Sequence, residues 1–214
     1  MNTKSDGFKV LLGIVAGMTA IVVFGLLLSF APELARGPRP TATPGGIAAG
    51  QYRSVPDVTL TNQDNRPVTF NDFKGKAVLM IFGYTHCPDV CPMTMSDFRK
   101  VKQQLGEQAS RVNFVFIGID AKRDTPAVLK SYVSAFDPSF IGLTADDATL
   151  QKTAYAFDGV YEIQKPAGDD SNSYNVAHTS FIYLIDPAGK WRLKYPFGTP
   201  VETIVKDLRD IIKA

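Results

Sequence analysis

Two apolar runs set the strongest limit on how this chain can fold. Ala77 to Tyr84 reads AVLMIFGY and Val112 to Ile119 reads VNFVFIGI. A strand that is apolar at successive positions must be covered on both faces, as at the centre of an open α/β sheet. Between the runs lies Pro92 to Leu105, where Met95, Phe98, Val101, Lys102 and Leu105 recur at helical spacing. After the second run, Asp124-Thr125-Pro126 supplies a cap and then a proline at the first helical position. That predicts a helix to about Phe136, and Asp147 to Phe157 reads as another.

The flanking segments complete the pattern. Asp57 to Thr61 and Pro67 to Phe70 surround Gln63-Asp64-Asn65, a small hairpin signal. Near the carboxyl end, strand Phe181 to Ile185, turn Asp186-Pro187-Ala188-Gly189 and strand Trp191 to Tyr195 form a second hairpin. Thr199 and Glu202 have capping-box spacing and open a last helix to about Ile212. The order ββ, then β-α-β-α, a further helix, then β-β-α implies a mixed α/β sheet with helices on both faces. The thioredoxin fold has this order, here with an added N-terminal β-hairpin and one inserted helix.

The chain has 214 residues, enough for one such domain and an extra segment. The extra segment is at the amino end. Val10 to Phe30 carries no charge and is long enough to cross a hydrocarbon core of roughly 30 Å. A cleaved signal peptide has an apolar region of only about 7 to 15 residues. The small residues Ser29 and Ala31 precede Pro32, a poor context for cleavage. A single uncleaved transmembrane helix is therefore expected over 10–30, after a cytoplasmic arm over 1–9. Residues 31–54, rich in Pro, Gly, Ala and Thr, read as a flexible tether to a domain over 55–214. Lys4 and Lys9 on one side nearly balance Arg36 and Arg39 on the other, so charge does not set orientation. The short arm translocates less readily than the large domain, which places the domain outside the cytoplasm. No Arg precedes Arg36, unlike a mitochondrial transit peptide, so a bacterial inner membrane is the expected location. The net charge of +2 arises entirely within the first 40 residues. A neutral domain has no field for phosphate, which argues against nucleic acid as a partner.

The chemistry is concentrated in the loop after the first apolar run, Tyr84-Thr85-His86-Cys87-Pro88-Asp89-Val90-Cys91-Pro92, which holds both cysteines of the chain. In open α/β sheets ligands bind beyond the carboxyl ends of strands. A helix starting near Cys87 puts Cys87 and Cys91 on one face, with Cβ atoms about 5–6 Å apart. That separation suits a disulfide or two thiolates on one metal ion. A helix amino terminus is expected to lower a thiol pKa. Two thiolates favour Cu(I), or zinc with further ligands, and structural zinc usually takes four. Thiolate with imidazole also supports Cu(II).

The chain has two histidines, His86 and His178. His86 adjoins Cys87 and need not point to the same ion. His178 precedes the strand at Phe181, which in this fold runs antiparallel to the Ala77–Tyr84 strand, so topology brings it toward the cysteines. A site of two thiolates and one imidazole holds Cu(I) at low coordination and leaves room for ligand exchange. Residues 164–177, polar with Gly and Pro, read as a mobile loop that lets His178 join or leave the metal. Met93 and Met95 are soft donors but read as core filler. Asp89, between the cysteines, raises thiol pKa if close, and otherwise is a solvated acid. A structural disulfide between Cys87 and Cys91 closes too small a loop to stabilise much. Trp191 and the residues around Phe197 read as hairpin packing.

YTHCPDVCP, GIDAKRDTP, FIGLT and VAHTSFIYLIDPAGK together resemble the Sco/SenC family of copper-binding, membrane-anchored, thioredoxin-like proteins, over most of Val55 to Ala214. The resemblance implies that Cys87, Cys91 and His178 are copper ligands, one ion per chain, and that Cys87 and Cys91 are a redox-active pair. It implies a role in assembling the dinuclear copper centre of cytochrome c oxidase, by inserting copper or by keeping the recipient thiols reduced. The oxidase subunit that bears this copper is then the partner, along with a periplasmic copper carrier or thiol-disulfide protein. Ala177 departs from the acidic residue expected before the histidine, so the preceding position offers that ring no carboxylate. Asp120, Arg123, Asp124 and Thr125 match a family pattern and read here mainly as a helix start.

Two functions stay open: a copper chaperone without catalytic turnover, and a thiol-disulfide reductase. The CxxxC spacing is longer than the CxxC of ordinary thioredoxins and better accommodates a metal. A peroxidase of the peroxiredoxin type is disfavoured, because Thr85 lies two residues before Cys87 rather than three.

Overall fold

A strand with no polar face needs an apolar layer on each side, and the fold supplies both. The computed structural model describes residues 45–165 and 174–213. In chain order the first elements are β1 (Ile47–Ser54), β2 (Thr59–Asn62), β3 (Pro67–Thr69), β4 (Ala77–Gly83), α1 (Val90–Leu105) and β5 (Val112–Gly118). There follow α2 (Pro126–Phe136), β6 (Ile141–Thr144), α3 (Asp147–Ala156), β7 (Tyr161–Gln164) and β8 (Asn175–His178). The chain then forms β9 (Phe181–Ile185), β10 (Lys190–Pro196) and α4 (Val201–Lys213). Eight strands make the main sheet, in the order β1-β10-β9-β4-β5-β6-β2-β3, and β7 pairs with β8 separately.

Every residue of β4 is buried. Its side chains alternate between two cores. Ala77, Leu79 and Ile81 join Phe98, Val101 and Leu105 of α1 on one face. Val78, Met80 and Phe82 join Phe157, Tyr183 and Trp191 on the other. β5 runs parallel to β4, from Ala77 opposite Val112 to Gly83 opposite Gly118. β9 runs antiparallel to β4, with Ile182 opposite Ile81, so the start of β9 lies beside the end of β4. The mixed α/β, thioredoxin-like arrangement expected from the sequence is the one observed, and the hairpin β2–β3 is added at the far edge through β6.

Local chemistry fixes the element ends. The Thr125 hydroxyl accepts from Val128 N–H and Pro126 opens α2, while Asp146 accepts from Thr149 N–H at 2.9 Å to cap α3. The β9–β10 turn needs a left-handed residue, and Gly189 takes φ +77° there. Asp186 Oδ1 accepts from Ala188 and Lys190 N–H across the same turn.

Four expectations need correction. Residues 47–54, read as the end of the tether, form β1. Asp207 on α4 holds its entry by accepting from the Gly45 and Gly46 N–H groups. Helix α1 begins at Val90, not Pro92; proline is tolerated in the first turn, where its missing N–H has no partner to lose. β6 stands where no strand was assigned. Both ends of the 164–177 loop are strands: Gln164 pairs with Asn175 and Tyr161 with His178, leaving residues 166–173 outside the described residues. The cytoplasmic arm, the transmembrane helix over 10–30 and the tether up to residue 44 also lie outside the described residues. No helix among the described residues is long and apolar enough to cross a membrane.

Candidate metal centre

The end of β4 and the start of α1 build the cysteine loop. After Gly83 the chain turns back, and Cys87 N–H donates to the Tyr84 carbonyl at 3.1 Å. Thr85 N–H and its hydroxyl donate to Asp124 Oδ1 at 3.0 and 2.7 Å, which ties this turn to the loop after β5. Asp124 is fully buried, and burial pushes its carboxyl pKa up against the pull of the Thr85 bonds. Ile119 N–H closes the same region by donating to the Gly83 carbonyl at 2.8 Å.

Cys87 is half-buried on the turn and Cys91 is buried in the first turn of α1; both are free thiols. The two do not share a helix face as expected, because α1 starts after Cys87. The turn brings them together instead. Nor does the helix terminus lower the Cys91 pKa. Burial pushes that thiol up, and neighbouring Cys87 adds in the same direction. Gly83 leaves room for the Cys91 sulfur: a Cβ there would lie 2.8 Å from Sγ.

His178 ends β8. Its Nδ1 lies 3.2 Å from the Thr179 carbonyl. A carbonyl only accepts, so Nδ1 carries the proton and Nε2 keeps its lone pair. That Nε2 faces Cys91 Sγ at 3.7 Å. Burial lowers the His178 pKa from 6.5, so the ring is neutral at pH 7. Thr179 is itself held to Val160 by three bonds, N–H to carbonyl at 3.0 Å and two through its hydroxyl. The Tyr84 ring meets the imidazole edge-on, with centroids 6.0 Å apart.

The donor atoms of Cys87, Cys91 and His178 all lie within 4.8 Å of one another. Among the described residues this is the one group of histidine, cysteine and acidic side chains with that property, and it has three members. Bonds of about 2.3 Å to sulfur and 2.0 Å to nitrogen place three donors about 4 Å apart around one ion, close to what the side chains present. Two sulfurs and one neutral imidazole without a fourth donor suit a soft ion of low coordination number better than structural zinc.

The other sequence candidates do not converge here. His86 is exposed and its Nδ1 pairs with the Thr85 hydroxyl at 3.2 Å. Met95 is core, while Met93 is exposed. Asp89 precedes α1 with no side-chain capping bond. Ala177 lies opposite Glu162 on the hairpin. Trp191 packs among Phe157 and Tyr183 as expected for hairpin packing, but Phe197 is exposed. The supports of the site were not legible. Tyr84 reads as the end of an apolar strand, and Thr179 as a neutral residue after a histidine. Thr125 caps α2 as expected, but Asp120 and Asp124 are buried; Asp124 faces back to Thr85 of the cysteine loop and Asp120 faces Arg123 and Tyr174. Their one sequence signal is two acids on a short segment that follows a buried strand.

A family model described as SCO1/SenC matches residues 48–213. An SCO2-like protein of Rickettsia felis is 31% identical over 210 residues, spanning 98% of this chain and 99% of that one. The structure of Bradyrhizobium japonicum ScoI with copper bound superposes with a TM-score of 0.67 at 36% identity, covering 74% of this chain and 99% of that one. BsSco, a member of the Sco family of cytochrome c oxidase assembly proteins in which a disulfide switch has been identified, matches with a TM-score of 0.62 at 26% identity, over 78% of this chain and 98% of its own.

Proposed function

The chain belongs to the SCO1/SenC family, and we propose that it is a copper chaperone that serves the dinuclear copper centre of cytochrome c oxidase. One copper ion, Cu(I) or Cu(II), is its cargo, held by Cys87 Sγ, Cys91 Sγ and His178 Nε2. The observation that carries this reading is the convergence of these three donors within 4.8 Å, with His178 Nδ1 turned to the Thr179 carbonyl and Nε2 toward Cys91. The copper-bound ScoI relative supports the choice of metal.

Delivery is ligand exchange. Cys91 is buried, while Cys87 and His178 are half-buried. An incoming thiolate from the copper-bearing subunit of the oxidase reaches the ion on the Cys87 side and displaces the chaperone's ligands one at a time. An open cleft lined by Val160, Glu162, Ala177 and His178 gives a second approach, to the imidazole side. A periplasmic copper carrier or thiol-disulfide protein loads or reduces the site. Residues 10–30 anchor the protein in the bacterial inner membrane with the domain on the outer face, and the chain up to β1 is the tether.

The disulfide switch of BsSco favours a second reading, a thiol-disulfide reductase. There the Cys87 thiolate attacks a disulfide of the recipient and forms a mixed disulfide. Cys91 then displaces the recipient's second sulfur, so the recipient gains two electrons and Cys87–Cys91 becomes a disulfide. This chemistry makes no use of His178. Substituting His178→Ala in the full chain separates the readings. A chaperone loses tight copper binding and keeps its rate of disulfide exchange. Unchanged copper affinity in this variant contradicts the three-donor site.

A further inference from the structure

The strands that carry His178 are not hydrogen-bonded into the main sheet. Beyond the short connection from His178 to β9, side chains hold the imidazole over the cysteines. Tyr161, Tyr174 and Val176 give the β7–β8 hairpin an apolar footing in one core, but apolar contact alone fixes position loosely. The Val176 N–H donates to the Tyr84 hydroxyl, and a larger polar assembly joins the hairpin to the cysteine loop. The Tyr174 hydroxyl donates to Asp120 Oδ1 at 2.9 Å. Arg123 Nε donates to the other oxygen of the same carboxylate, and Arg123 Nη1 donates to the Tyr174 carbonyl at 3.0 Å. The guanidinium lies over the Tyr174 ring at 3.6 Å and beside the Tyr84 ring at 5.7 Å. Tyr84 is the ring that abuts His178. Asp120 is fully buried and Arg123 nearly so. Asp120 N–H also donates to Asp124 Oδ2 at 3.3 Å, and Asp124 is the residue that holds Thr85.

We propose that Asp120, Arg123 and Tyr174 are positioning residues: a buried latch that locks the start of β8 to the cysteine loop and so keeps the His178 imidazole within reach of the metal. The assignment rests on the three-donor reading above. A buried ion pair is a poor device for stability alone, since apolar replacements often serve as well, but it specifies one arrangement over others. This one grips both the side chain and the backbone of Tyr174, four residues before His178, and lies beside the Tyr84 ring that abuts His178. No latch residue belongs to the donor group.

The test is a set of double-mutant cycles in the full chain, read by anaerobic Cu(I) affinity. Tyr174→Phe deletes only the hydroxyl and keeps the ring. Arg123→Lys keeps the charge but cannot hold Asp120 and the Tyr174 carbonyl together. Supports of metal ligands are commonly worth about 10–100-fold in affinity, and each latch variant is expected to weaken copper binding about tenfold. In the His178→Ala background the same variants should cause no further loss, because the latch acts through that ring. Disulfide exchange by Cys87 and Cys91 should be unchanged. Full copper affinity in both latch variants overturns the proposal, as does an equal loss with and without His178. If His178→Ala itself binds copper normally, the three-donor reading fails first, and the latch with it.

Discussion

Adding one carbon at Gly83 tests the packing of the site against a number. An ideal Cβ there would lie 2.8 Å from Cys91 Sγ, and 2.8 and 3.1 Å from Phe116 Cε2 and Cζ. Nonbonded carbon contacts relax to about 3.5–4.0 Å, so Gly83→Ala creates overlaps of roughly 0.5–1 Å in two directions. Neither neighbour is a flexible end: Cys91 is 1% exposed and Phe116 0%. Gly83 does not occupy a left-handed conformation, so the effect is steric, not a matter of backbone strain. Overpacking of this kind costs about 1–3 kcal/mol. In a domain of this size each kcal/mol lowers Tm by about 2–4 °C, which gives a fall of about 2–12 °C. The Cys91 sulfur must also move, and copper affinity should fall by about tenfold or more. Gly142→Ala is the control. Its Cβ would lie 3.0 Å from Leu129 Cβ, away from the sulfurs, so it should cost stability and leave copper affinity intact. Thermal unfolding of the metal-free full chain and anaerobic copper titration read the two effects. A Gly83→Ala protein with wild-type Tm and wild-type affinity refutes the close approach of strand and sulfur.

Three further outcomes are expected. Asp207→Ala removes the acceptor for Gly45 N–H, Gly46 N–H and the Tyr195 hydroxyl; it should cost about 2–3 kcal/mol in urea unfolding and speed amide exchange at Gly45 and Gly46, and slow exchange there would argue against the clamp. Burial raises the Asp137 carboxyl, but bonds from Lys102 and Ser139 outweigh it and leave the pKa below 3.8; its stabilisation is therefore present above about pH 4 and lost as pH falls through the depressed value, so Asp137→Asn should flatten the acid limb of stability against pH, and an unchanged limb would contradict this. His86→Ala and Met93→Ala should each still bind one copper with unchanged affinity by anaerobic titration, since His86 lies outside the donor group and Met93 lines a separate cleft with Phe197; a loss in either would enlarge the site.

The centre of the fold was legible because β4 and β5 are apolar at nearly every position, a pattern a half-exposed strand does not show. Cys87 and Cys91 were legible as a pair by spacing, and His178 by topology, since β9 returns antiparallel beside β4. What could not be read depends on contacts between distant residues. IAAGQYRS has no strand pattern, and becomes β1 because β10 offers an edge and Asp207 receives the two amides just before it. β7 and β8 are each four residues long, too short for periodicity to declare, and they are separated by the residues between 164 and 175. The helix-terminus argument for an acidic thiol failed for a related reason. It counts the local dipole but not the burial of Cys91, which comes from Gly83 and the packed core around it. The tautomer of His178 depends on one carbonyl, Thr179, whose placement is decided by Val160, the residue before β7.

X-ray absorption of the Cu(I)-loaded full chain counts the donors directly. Two sulfurs and one imidazole nitrogen per copper, with the nitrogen lost in His178→Ala and one sulfur lost in Cys91→Ser, is the predicted spectrum. A spectrum of sulfur donors alone that His178→Ala leaves unchanged would contradict the account at its centre.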